Sequence, residues 1–106
     1  MAKEVFQLHA EVCKTLSHAK RLEILNILRD DEMSVGDIVK KMKIPKANVS
    51  QHLAVLRKAG ILETRRDGLS IYYSISSPKV IKACDLMREV LVEYQTKKTK
   101  LMKNIV

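Results

Sequence analysis

The sequence predicts a mainly α domain with a small β-hairpin, and three observations carry that expectation. Two helix-like segments separated by a short proline-containing break fill residues 34–59, and an Asp-Gly turn divides two strand-like runs over 61–75. Amphipathic helices flank this centre, one over 1–16 and one over 77–100. At 106 residues and 46% apolar content the chain is read as one domain, with a core small enough to gain from dimerisation.

Taken in order, Val5, Leu8, Val12 and Leu16 form one stripe of a first helix. Leu22, Ile24, Leu25, Ile27 and Leu28 make a very apolar second one. Ser34 can cap a third helix with Asp37 three positions on, the spacing at which the two side chains satisfy each other's exposed backbone donors. Ile38, Val39 and Met42 recur at helical spacing, and the helix stops at Lys43-Ile44-Pro45 because the residue before a proline is pushed out of the helical region. Pro45 opens a fourth helix, on which Val49, Leu53 and Leu56 mark the apolar side and Ala47, Gln51, Ala54 and Lys58 the opposite one. Gly60 ends it as a left-handed cap.

The run from Ile61 to Arg66 leads through Asp67-Gly68 into Leu69 to Ile75, where Leu69, Ile71, Tyr73 and Ile75 alternate with Ser70, Tyr72 and Ser74. Ser77 and Pro78 open the last helix by cap and first-turn proline. Its Val80, Cys84, Met87, Leu91 and Tyr94 follow a 4-3-4-3 rhythm, which suits pairing with a copy of itself, burial against the chain's own first helix, or both. Met33, Met42, Met87 and Met102 read as core or edge fillers.

Joined in this order, the third and fourth helices are a helix-turn-helix and the basic hairpin is a wing, together a grip for duplex DNA. Asn and Gln pair with adenine, Lys with guanine or phosphate, and an Ala methyl touches thymine. The candidate DNA-binding residues are therefore Lys46, Ala47, Asn48, Ser50, Gln51 and His52 on the helix, with Arg65 and Arg66 beside the hairpin turn for phosphate or minor-groove contact. His52 is the one of these that equally suits packing. A net charge of +8 favours a polyanion. Half of it lies in Lys97, Lys98, Lys100 and Lys103, a stretch without acids that reads as a frayed, solvated tail before a DNA arm. A homodimer would present two recognition helices to a pseudo-palindromic double-stranded DNA operator, with half-sites roughly 34 to 36 Å apart.

Other classes fare poorly. No apolar run approaches the ~18 to 20 residues that span a bilayer, and Met1 to Leu16 lacks the pattern of a secretion signal, so a cytoplasmic protein with no membrane partner is expected. A reducing cytosol then predicts free thiols for Cys13 and Cys84, neither of which belongs to a CxxC pair. No Gly-rich phosphate loop, HExxH or GxSxG is present, so no enzyme and no cofactor are predicted. His9, His18 and His52 do not pair with one another at i+4, and no metal site is predicted. A winged helix used only for protein contacts is the competing class.

From Leu16 to Ile75 the chain resembles the ArsR/SmtB repressors, with SVGDI, NVSQHLAVLRKAGIL and DGLSIYYSI in the expected order. The resemblance implies a winged helix-turn-helix fold of four helices, two strands and a last helix. It also implies a homodimer through the first and last helices, and a repressor that leaves its operator when an inducer binds.

The sensing sites of such relatives are not matched. The CVC cysteines of arsenic-sensing members align with Ser34 and Gly36, and the zinc ligands along the last helix with Ser77, Lys79, Val90 and Glu93, a set that leaves one carboxylate. The cysteines of members that sense reactive sulfur align with Asn26 and Val92. Cys13 and Cys84 remain, on the two helices that the resemblance brings together at the dimer interface. Two readings stand for them: a thiol sensor that bridges if the α-carbons approach within ~7 Å, or small hydrophobes in packed faces. In the second case the inducer is a metal or small ligand.

Overall fold

The computed structural model describes residues 2–105, with side chains over 2–101. The helices are α1 (Lys3–Leu16), α2 (Ala19–Ile27), α3 (Val35–Met42), α4 (Lys46–Lys58) and α5 (Pro78–Ile105). The strands are β1 (Met33–Ser34), β2 (Leu62–Asp67) and β3 (Ser70–Ile75). The expected helices and hairpin are all present, and the sheet exceeds expectation. β1 pairs antiparallel with β3, Met33 opposite Tyr73 and Ser34 opposite Tyr72, to give the order β1-β3-β2. Two residues are too short a run to show a period in sequence.

The core is one apolar cluster. Ile24, Leu25 and Leu28 from the α2 segment, Ile38 from α3, Val49, Leu53 and Leu56 from α4, Ile61 and Leu62 at the wing root, and Ile81 from α5 are all buried. The α4 stripe lies where its spacing put it, with each of its three members fully enclosed. Tyr73 and Ile75 of β3 pack onto the same cluster, whereas Ile71 is exposed.

Local chemistry sets the boundaries. Ser34 Oγ accepts the Asp37 N–H at 3.3 Å, which is the capping half of the expected box; Ser34 itself is paired in β1. Helix α3 ends because Lys43 turns left-handed (φ 57°) and donates its N–H to Val39 O at 2.9 Å, ahead of the restriction at Ile44. At the end of α4, Gly60 (φ 79°) donates to Arg57 O and Ile61 to Leu56 O, a Schellman closure whose apolar contact joins two buried residues. The Lys79 N–H donates to Ser77 Oγ at 3.3 Å, so Ser77 opens α5 as expected.

Two expectations are corrected. Asp67 pairs with Ser70, so the turn residues are Gly68 and Leu69, and Leu69 is fully exposed instead of the first residue of the strand. Only Gly68 has positive φ (62°), the type II′ pattern that places glycine first. The lysine-rich stretch is not a frayed tail: α5 continues through it to Ile105. Nothing after Pro78 breaks a helix, and the Thr96 and Thr99 hydroxyls donate back to Val92 O and Gln95 O, each at 2.9 Å. The side chains of Met102 and Lys103 lie outside the described residues.

The α5 stripe divides. Val80 and Cys84 pack against the core, while Met87, Leu91 and Tyr94 are more than half exposed. The first helix does not cover them, since no residue of α1 is buried and Val5, Phe6 and Leu8 face solvent. Asp85 fastens the first half of α5 to the body through Arg29, with paired bonds of 3.1 and 2.8 Å, and is bound by Arg88 at 2.9 Å. Hydrogen bonds from Arg29 and then Arg88 hold its carboxyl down to about 2. Truncating the centre of the core by Leu53→Ala is expected to destabilise the chain by about 2 to 5 kcal/mol in chemical denaturation, from lost burial plus the cavity left behind.

Candidate nucleic-acid interface

Burying Val49, Leu53 and Leu56 turns the remaining face of α4 outward. Lys46, Ala47, Asn48, Ser50 and Gln51 are all exposed, and no side-chain hydrogen bond ties them to other described residues. Pro45 precedes the helix without a side-chain cap, and its carbonyl accepts from Asn48 and Val49 at 3.0 and 3.2 Å. The first-turn N–H groups of Lys46 and Ala47 therefore lie at the positive end of the helix, beside these side chains.

His52 behaves differently. It is half-buried, its Nδ1 accepts the Arg21 Nε–H at 3.2 Å, and its ring stands edge-on to His18 with centroids 4.6 Å apart. Arg21 also donates to Thr15 O at 3.1 Å, so one guanidinium joins the end of α1 to the middle of α4. Burial, then the neighbouring His18 and Arg21 charges, push the His52 imidazole below its ordinary value. Arg21 was not among the residues singled out from sequence, and His18 was weighed there only as a metal ligand. Residues 31 apart carry no local signal that they meet.

The two wing arginines also part company. Arg65 pairs with Glu32, with Nε donating to both carboxylate oxygens at 3.2 and 3.1 Å, and its guanidinium lies over the Tyr72 ring, 4.7 Å from the centroid. Asp67 stands 3.8 Å from the same group. The hydrogen bond from Arg65 holds the Glu32 carboxyl below its usual range, and the same contact raises Arg65. Arg66 is exposed and makes no ion pair with the described residues. Of the thiols, Cys13 is exposed on α1 and Cys84 is half-buried against the core, both free. Among the described residues no three His, Cys, Asp or Glu side chains cluster to hold a metal. No described helix is long and apolar enough to cross a membrane.

The model of the family described as "Bacterial regulatory protein, arsR family" matches residues 18–64. The HTH-type transcriptional regulator Rv0081 of Mycobacterium tuberculosis is 32% identical over 98% of this chain and 92% of its own length. This chain belongs to the arsR family of bacterial regulatory proteins.

The transcriptional repressor PagR of Bacillus anthracis is 44% identical over 67% of the chain and 72% of its own length. The crystal structure of Rv0081 superposes with a TM-score of 0.83 at 34% identity, covering 92% of this chain and 99% of that one. The solution structure of a winged helix-turn-helix domain of Mycobacterium bovis, described as homodimeric, superposes at 0.78 and 28% identity over 88% and 89% of the two chains. This arsR-family chain is thus a winged helix-turn-helix DNA-binding transcriptional regulator.

The His52 contact sets a pH dependence. Its folded-state value lies below the unfolded one of about 6.5, so the folded chain binds fewer protons and its stability is complete above that value. Stability is expected to fall as the pH drops from about 6.5 towards 5, and His52→Gln to flatten that part of the curve. Denaturation midpoints measured across this window check the slope; a parent curve no steeper than the variant's would contradict it.

Proposed function

We propose that this arsR-family protein is a homodimeric repressor that holds a pseudo-palindromic DNA operator and releases it on an inducer signal. The exposed face of α4 carries this reading, since among the described residues no hydrogen bond or ion pair occupies the side chains of Lys46, Asn48, Ser50 and Gln51. Asn48 and Gln51 are assigned to adenine edges, Lys46 to guanine or phosphate, the Ala47 methyl to thymine, and Ser50 to either kind of acceptor or donor. Arg66 is assigned to the phosphate backbone. His52 supports the helix from behind through Arg21.

Dimerisation is supported by the apolar side chains that α1 and α5 leave exposed, among them Phe6, Leu8, Met87, Leu91 and Tyr94. A two-fold pair of such chains presents two α4 helices, and a pseudo-palindromic site answers that symmetry. The release signal is assigned to the same two helices, where Cys13 and Cys84 lie.

Fluorescence anisotropy on a duplex from the chain's own upstream region, at ~0.15 M salt, tests both parts. Gln51→Glu combined with Arg66→Glu is expected to abolish binding, and retained affinity would overturn the DNA-reading face. Mild thiol oxidation is expected to weaken the parent at least about tenfold, ~1.4 kcal/mol of coupling. Cys13→Ser or Cys84→Ser should keep affinity and lose that response; variants that respond like the parent would exclude the thiol route.

A further inference from the structure

The three strands place Ser34, Tyr72 and Arg65 side by side, Ser34 opposite Tyr72 and Tyr72 opposite Arg65. Arg65 starts on β2, passes over the Tyr72 ring of β3 and ends on Glu32, immediately before β1. One side chain therefore spans the sheet. The far end of that span matters, because β1 runs directly into the Ser34 cap of α3, the first helix of the helix-turn-helix. The backbone link between β1 and β3 is only two residues long, so the sheet itself gives this edge little hold.

Charge placement adds to the case. A carboxylate beside the wing of a DNA-binding protein repels phosphate, and the simple expectation is that removing it tightens binding. Yet Glu32 engages Nε and a terminal nitrogen of Arg65, in the paired geometry that fixes a guanidinium plane and cancels its charge. With Tyr72 against its face and Asp67 near its third nitrogen, Arg65 is bound on several sides. Arg66, its chain neighbour, pairs with Ile71 and points to the opposite face.

We propose that Glu32 and Arg65 are positioning residues that lock the wing to the start of the helix-turn-helix, and that Arg66 alone of the two arginines meets the DNA backbone. The acid thereby supports binding to a polyanion by presenting the wing at a fixed angle to α4, so that less ordering remains to be done on the operator. This rests on the DNA-binding reading above and assigns a task to a residue of the wrong sign for it.

The test uses the full chain in two assays. In the free protein, Glu32→Gln is expected to speed amide hydrogen exchange across β2 and β3 and leave α4 unchanged. On the operator duplex it is expected to weaken affinity about three- to tenfold, although net charge rises by one, with the slope of log affinity against log salt unchanged. The charge-swapped pair Glu32→Arg with Arg65→Glu should recover most of that loss, and Arg66→Gln should lower the slope by about 1 per subunit, about 2 for the dimer. Glu32→Gln binding as tightly as the parent or more so, or a swap as weak as the single variant, would overturn the proposal. If the parent itself shows no specific duplex binding, the DNA reading fails while the exchange assay still judges the lock: unchanged β2 and β3 protection would refute it.

Discussion

Burial of the Val49, Leu53 and Leu56 face of α4 against α2, α3 and the wing root is the contact on which the other features depend. A helix with one side fully enclosed cannot rotate about its axis, and its opposite side is thereby committed to solvent. Each buried aliphatic side chain contributes about 1.5 to 3 kcal/mol relative to exposure, so three on one helix outweigh any plausible pull from the polar face. The Schellman closure at Gly60 then carries that orientation forward, because Ile61 and Leu62 enter the same core and β2 must leave from there. The wing lies beside the reading helix as a consequence of core packing.

Polar side chains refine what the core sets. Arg29 with Asp85 ties the end of α2 to α5, Arg21 with His52 ties α1 and α2 to α4, and Arg65 with Glu32 ties the wing to the entry of α3. Each links elements far apart in sequence, and each uses arginine, whose planar fork fixes direction as well as charge. A basic chain thus spends several of its cations on internal geometry, and its excess charge is a poor guide to which of them face DNA.

Much of the fold was legible because its signals are local: the Ser34 cap, the α4 stripe, the Gly60 cap and the Asp-Gly hairpin all lie within a few residues of their effect. The two-residue β1 was not, being shorter than any period, and neither was the shift of the turn onto Gly68 and Leu69, which depends on strand register. On α4, spacing put Ala47 and Gln51 on the outward side, and residue type in the first turns added Lys46, Asn48 and Ser50; all five are exposed. The distinction between Arg65 and Arg66 was invisible, since it rests on Glu32 arriving from 33 positions away. For His52 the sequence leaves packing and phosphate contact both open, and the contacts with Arg21 and His18 decide for packing. The lysine stretch was misjudged from charge alone, where backbone propensity and the absence of a breaker decide.

A DNA-reading face on α4 is the central claim, and backbone amide chemical-shift mapping during titration with the operator duplex tests it directly. It predicts shifts gathered on Lys46 to Gln51 and around Arg66, with the α1 and α5 amides unmoved. Shifts gathered on α1 and α5 while α4 stays silent would contradict it and move the DNA contact to those helices.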